Sequence, residues 1–145
     1  MEILQTVHSY MAYIVLAILF LAVVNAIRGL AGNKIFDLHK DLRISLFALI
    51  LSHLQLVLGL ILFFVSANGL KAIQALGMGG LNAEARLLAV EHPAINIVAI
   101  ILITVGWSRH KKQNEDKKKF RSIALFYGLG LLFILSRIPW GQWFG

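Results

Sequence analysis

The chain has 145 residues, of which 59% are hydrophobic and only 14% are charged, and its formal net charge is +7. A soluble domain carries about 25% charged residues, so this composition predicts a membrane protein. The sequence contains no cysteine, which excludes disulfides, thiolate zinc sites, iron–sulfur clusters and covalent c-type haem, and leaves histidine as the strongest candidate metal ligand.

Four apolar runs reach the roughly 17 to 25 residues that one helical membrane crossing needs. They cover about residues 7–28, 43–67, 87–109 and 120–138. Only helices and closed barrels satisfy the backbone in lipid, and these runs are continuous rather than alternating, so each predicts a helix. The first run is too long for a signal peptide and lacks a small-residue cleavage site, so we expect it to be retained. Residues 1–145 are therefore predicted to form one all-α domain.

Lysine and arginine are distributed unevenly between the loops. Eleven of the fourteen basic residues lie around residues 28–43 and 109–121, and only Lys71, Arg86 and Arg137 lie on the other side. The positive-inside rule therefore predicts two cytoplasmic loops, with both termini outside. Because the basic residues separate apolar runs, we attribute the positive charge to topology and expect no nucleic acid partner. Short connections favour an integral membrane four-helix bundle with up-down-up-down, antiparallel topology.

Small residues recur every seven positions in the second run, at Ser45, Ser52, Gly59 and Ser66. Such a stripe lets a neighbouring helix approach closely, so we expect it to face the inside of the bundle.

The start of the third run allows two structures. Asn82 is placed to N-cap a helix that continues directly into this run, in which case Pro93 kinks the helix. Alternatively, the helix begins at His92 and Pro93 occupies its first turn, where a missing N–H costs nothing.

Three of the five histidines lie in or at the ends of apolar runs, whereas His39 and His110 lie among charged loop residues and are predicted to be solvated. At about 1.5 Å per helical residue, His8 lies about 30 Å and His92 about 25 Å from the cytoplasmic edge, which puts both at the outer level. His53 lies about 15 Å from that edge, near the middle of the membrane.

The first and third helices are diagonal in an up-down bundle, about 12 to 14 Å apart. Imidazoles of His8 and His92 can therefore reach one metal ion across the centre, with a flat macrocycle between them. Two simpler explanations stay open. His8 and His92 can be ordinary residues at the water line, and His53 can be bonded to a serine or glutamine of a neighbouring helix.

Several segments resemble a family of small four-helix membrane proteins of the "cytochrome b" type, common in Bacteroidota. The similar segments are "HSY" at His8, "SHLQLVLGLILFFVS" around His53, "VEHPAINIVAIILITVGWSRHKK" around His92, and "IPW" after the fourth run. The chain departs from the family after His8, where the sequence Tyr10-Met11-Ala12-Tyr13 replaces a glycine and an Arg-Trp pair. The resemblance implies that His8, His53 and His92 are the family's histidines, that the cofactor is haem b, and that the location is a bacterial inner membrane.

The leading expectation is an electron carrier in which His8 and His92 bind the haem iron, with His53 as an alternative to His8. The propionates of the haem would face Arg86 or Arg137. The partners of the protein would be a membrane quinone, bound beside His53 and Gln55, and a redox protein outside the membrane. A looser similarity to one half of heme A synthase implies a haem-modifying enzyme with Glu91 near its substrate. The third alternative is a non-haem structural or transport subunit.

Overall fold

The computed structural model describes residues 2–144, with side chains through residue 142, and every regular element in this part is helical. The α-helices are α1 (Glu2–Ala31), α2 (Asp41–Val65), α3 (Leu70–Leu76), α4 (Ala83–Arg86), α5 (His92–Lys112), α6 (Asp116–Ser136) and α7 (Trp140–Phe144). A 3-10 turn covers Met78–Gly80, and a π-helical turn covers Leu87–Glu91. Four helical segments are long and apolar enough to cross a membrane, namely Glu2–Ala31, Asp41–Leu76, Ala83–Lys112 and Asp116–Ser136. The all-α prediction and the four long helices are thus confirmed.

The long helices pack around a common centre. Both α1 and α5 pack against α2 and α6, so α1 and α5 face each other across the bundle. Near the end of α1, Asn25 Nδ2 donates a hydrogen bond of 2.7 Å to Asp41 at the start of α2. Near the other end of α1, Gln55 Nε2 of α2 donates one of 2.8 Å to the backbone oxygen of His8.

Glycines bring α5 and α6 close together. A Cβ atom built on Gly130 would lie 2.8 Å from Ile103 Cγ1, and one built on Gly106 would lie 2.6 Å from Phe126 Cβ. Both separations are shorter than a van der Waals contact, so α5 and α6 can approach this closely only because glycine has no side chain at these two positions.

Tyr127 of α6 fills part of the centre of the bundle, where its side chain is fully buried. Its hydroxyl donates a hydrogen bond of 2.8 Å to the backbone oxygen of Ser45 on α2. Ser45 and Ser52 are themselves buried, as the seven-residue stripe predicts. The outward faces are apolar instead, with large exposed side chains such as Phe20, Ile50, Ile101 and Leu132.

The third long segment begins at Asn82, whose Oδ1 accepts a hydrogen bond of 2.8 Å from Ala85 N. The helix then continues past Pro93, because the π-helical turn before it accommodates the proline ring without ending the helix. The N–H of His92 donates to the backbone oxygen of Leu87, five residues earlier. Such a widened turn leaves space for a ring that has no N–H to offer the carbonyl four residues back. Of the two predicted structures, the observed one is therefore the continuous helical segment that is N-capped by Asn82, and not a helix that begins at His92.

His110 corrects one expectation, because its side chain is only 1% exposed. The helix α5 extends to Lys112, which places His110 inside the last turn and not in a loop. Its ring lies 4.5 Å from that of Trp107 and 5.4 Å from that of Phe36, measured between centroids. Phe36 belongs to the connection between α1 and α2, which folds back over this end of the bundle. His39 is exposed, as predicted.

Candidate cofactor site between His8 and His92

An apolar cavity of about 280 Å³ lies between the four long helices at the end where α1 begins. Small-molecule sites are usually apolar and measure about 300 to 1,000 Å³, so the volume of this cavity is slightly below that range. Its polar lining includes His8, Gln55, His92 and Asn96, and none of the lining residues in the described part of the chain is charged. We call it the His8–His92 cavity.

His8 of α1 and His92 of α5 meet across this cavity. Their ring centroids are 6.4 Å apart and the ring planes are nearly perpendicular, at 87°. The two histidines therefore lie close together, on two helices that face each other across the bundle. Metal–imidazole bonds measure about 2.0 to 2.1 Å for zinc, so two imidazoles that share one metal ion have centroids about 6 Å apart. The observed separation matches that value.

The tautomer of His92 follows from its neighbours. His92 Nδ1 lies 2.9 Å from the backbone oxygen of Arg137. A carbonyl oxygen only accepts, so Nδ1 carries the proton and Nε2 keeps its lone pair. Asn96 Nδ2 lies 3.3 Å from Nδ1, but it donates to the backbone oxygen of His92 at 2.6 Å. Metal-binding histidines commonly donate their second N–H to a carbonyl in this way. His92 therefore has the tautomer that a ligand through Nε2 requires.

His8 has a different environment. Its Nδ1 atom is buried and has no hydrogen-bond partner among the described residues. The ring packs over Gly59 of α2, where a Cβ atom would lie only 3.2 Å from His8 Cε1. Glycine at this position thus provides the space that the His8 ring occupies.

His53 lies apart from this pair. Its ring is exposed on the outer face of α2 and does not line the cavity. Nδ1 donates to the backbone oxygen of Leu49 at 2.8 Å, and Nε2 lies 3.2 Å from the hydroxyl of Thr104 on α5. Gln55, expected beside His53, lines the cavity instead.

Arg86 and Arg137 both pair with Glu91. The distances are 3.1 Å from Arg86 Nε and 3.4 Å from Arg137 Nε to the two carboxylate oxygens. Both arginine side chains are about half exposed and neither lines the cavity. The backbone oxygen of Arg137 nevertheless accepts a hydrogen bond from His92. The ion pairs of Glu91 with Arg86 and Arg137 are therefore connected to the cavity through Arg137.

Sequence reasoning did not find the part played by the Arg137 carbonyl. Every residue carries such a group, so no residue type could have revealed it. The role of Gly59 had a usable signal, because it belongs to the seven-residue stripe of α2. That stripe predicted close helix packing and did not predict a histidine ring at this position.

Among residues 2–144, no group of three or more His, Asp or Glu side chains lies together at metal-binding spacing. A site built from protein ligands alone usually needs at least three, whereas haem iron takes four nitrogens from the macrocycle and only axial ligands from the protein. Comparison of the chain with protein-family models, with curated proteins and with solved structures finds no match. Function must therefore be argued from the site itself.

Proposed function

We propose that this protein is a membrane-embedded b-type cytochrome that holds haem between His8 and His92 and carries single electrons. The observation that carries the proposal is the pair of imidazoles, 6.4 Å apart between centroids, facing each other in an apolar cavity. Two further features fit this cofactor. His8 Nδ1 is a buried polar atom with no hydrogen-bond partner within residues 2–142, and Gly59 leaves space for the His8 ring.

The membrane location is part of the proposal. Four long apolar helices and the exposed Phe, Ile and Leu side chains on their outward faces support insertion in a bilayer. The contacts of Asn25 with Asp41 and of His8 with Gln55 support an antiparallel, up-down-up-down path. Together with the basic loops, they favour a bacterial inner membrane protein with both termini outside and the His8–His92 cavity toward the outer leaflet.

Each residue of the site then has a distinct task. His8 and His92 would hold the haem iron, and the Arg137 carbonyl accepts the hydrogen bond that keeps His92 in the tautomer with a free Nε2 lone pair. Arg86 and Arg137 provide positive charge beside the cavity, suited to the propionates. A bound haem supplies a one-electron iron couple, whose potential the protein tunes through its ligands and their burial. A membrane quinone and a redox protein outside are the proposed partners.

Glu91 favours a carrier over a haem-modifying enzyme. Its carboxylate is engaged by two guanidinium groups, of Arg86 and Arg137. This arrangement suits a structural ion pair better than a group that exchanges protons with a substrate.

The test is the absorption spectrum of protein purified after expression with ample haem, before and after reduction with dithionite. We expect the Soret and α bands of a low-spin b-type haem, and their loss in His8→Ala and in His92→Ala. His53→Ala is the matched control and should keep both bands, because His53 lies outside the cavity. Folded wild-type protein without a Soret band would refute the proposal. Loss of the bands in His53→Ala, with His8→Ala unaffected, would move the ligand to the middle of the bundle.

A further inference from the structure

Two buried polar atoms have no hydrogen-bond partner among the described residues, and both belong to the lining of the His8–His92 cavity. They are Nδ1 of His8 and Oε1 of Gln55. A buried polar atom without a partner raises the free energy of the folded protein, so native proteins rarely keep one without a functional reason. Two such atoms in one cavity point to a hydrogen bond between them that forms when the cavity binds its ligand.

The chemistry of the two atoms is complementary. Gln55 Nε2 donates a hydrogen bond of 2.8 Å to the backbone oxygen of His8. A carbonyl oxygen only accepts, so this bond fixes which end of the Gln55 amide is nitrogen and leaves Oε1 as a pure acceptor. His8 Nδ1 can be a donor, because a neutral imidazole carries one proton on either nitrogen.

The positions of Gln55 and Gly59 on α2 bring the Gln55 amide and the His8 ring together. Gln55 and Gly59 are four residues apart on the helix, so they share one face. The His8 ring packs over Gly59, and the Gln55 amide is bonded to the backbone of His8. The amide and the ring are therefore held side by side against the same face of α2.

We propose that Gln55 is the positioning residue of His8, with Gln55 Oε1 accepting a hydrogen bond from Nδ1–H when Nε2 of His8 binds the haem iron. This inference rests on the proposed function. The bond satisfies both buried atoms at once and selects the tautomer that presents Nε2. It also gives His8 the same support as His92, whose Nδ1 donates to the Arg137 carbonyl. Each ligand is then oriented by a carbonyl-type oxygen from a neighbouring helix.

The test uses full-length protein with Gln55→Met, which removes the acceptor with little change of volume, and Gln55→Glu, which keeps an oxygen acceptor and can add negative charge. Gln74→Met is the matched control, because Gln74 is exposed and does not line the cavity. The readouts are haem affinity, by transfer of haem to an apo-haem acceptor, and the midpoint potential, by redox titration.

We expect Gln55→Met to lower haem affinity by about 10-fold to 100-fold, the usual effect of losing a partner of a metal ligand. Without a hydrogen bond from Nδ1–H, the His8 imidazole donates less electron density to the iron and stabilises ferric iron less. The midpoint potential of Gln55→Met should therefore shift to more positive values. Gln55→Glu should shift it to more negative values, and Gln74→Met should change neither readout. Opposite shifts in the two Gln55 variants are a result that a purely structural role does not produce.

Three results would overturn the inference. If wild-type protein binds haem and neither Gln55 variant changes affinity or potential, the Gln55 assignment fails and the proposed function stands. Shifts of equal direction in both variants would indicate altered packing and would also refute the assignment. A wild-type protein without a Soret band would refute the proposed function and this inference together. If Gln55→Met does not fold, Gln55→Leu takes its place in the comparison, with the same expected shift to more positive values.

Discussion

The residues that support the proposed site are mostly ones without reactive chemistry. His8 depends on the empty position at Gly59, and His92 depends on a backbone oxygen of Arg137. Counting residues from the basic edges was enough to place His8 and His92 at one level, because a helix rises by a constant amount per residue. The supporting groups could not be found that way, since their roles depend on which faces the helices turn toward each other.

Gly59→Ala tests the space around His8. The added Cβ would lie 3.2 Å from His8 Cε1, so the ring must shift by a few tenths of an ångström. Overpacking of this kind costs about 1 to 3 kcal/mol. We therefore expect haem affinity to fall about tenfold or more, because about 1.4 kcal/mol corresponds to a factor of ten. The measurement is haem transfer to an apo-haem acceptor.

Gly128→Ala is the matched control for this substitution. A Cβ atom on Gly128 meets only Val23 Cγ1 at 3.8 Å, an ordinary van der Waals contact. We expect this variant to bind haem as the wild type does. Equal losses in both variants would show that helix packing in general, and not space for His8, limits binding.

At the scale of elements, the connection between α1 and α2 contributes more than its sequence indicated. Phe36 is only 7% exposed, and its ring packs against Phe120 and the buried His110. Its N–H donates a hydrogen bond of 3.0 Å to Asp116 at the start of α6. The connection therefore ties the ends of α1, α5 and α6 together, whereas the sequence predicted only a basic cytoplasmic loop in which His39 is solvated.

Phe36→Ala tests this role of the connection. Removing a buried phenylalanine costs about 3 to 5 kcal/mol, so we expect a clear loss of stability in thermal unfolding of the detergent-solubilised protein. Hydrogen exchange should also become faster at the end of α5 that contains His110. The neighbouring Ile35 is 80% exposed, so Ile35→Ala should change neither quantity. Comparable destabilisation by both substitutions would contradict a specific role for Phe36.

The third long segment also shows what local sequence can and cannot decide. Asn82 is a good N-cap residue, and the helix does begin there. Pro93 indicated an interruption, but its form as a π-helical turn over Leu87–Glu91 depends on the contacts around it. This turn carries Glu91 to both Arg86 and Arg137, directly before His92.

For the molecule as a unit, the proposed membrane orientation can be tested directly because the chain has no cysteine. We expect Gly79→Cys to react with a membrane-impermeant thiol reagent added outside right-side-out inner-membrane vesicles or spheroplasts. Asn114→Cys should react only after the membrane is permeabilised. Both positions are exposed in the fold, and a Cβ at Gly79 meets no atom within 4 Å, so neither substitution should disturb packing.

The reverse labelling pattern would place the His8–His92 cavity toward the cytoplasmic leaflet. Labelling of both positions without permeabilisation would contradict a membrane-spanning bundle. The cysteine-free parent protein is the background control.

The all-α class, the four long apolar helices and a common depth for His8 and His92 could all be inferred from the amino-acid sequence alone. These features follow from local quantities, namely run length, hydropathy and the fixed rise of a helix. The tertiary structure decided which groups meet: His8 over Gly59, Gln55 beside His8, His92 on the Arg137 carbonyl and His110 under Phe36. Such contacts depend on how each helix is rotated about its axis, and the four nearly uniform apolar runs leave that rotation undetermined. It is set by packing, where glycines and a few interhelical hydrogen bonds select one arrangement.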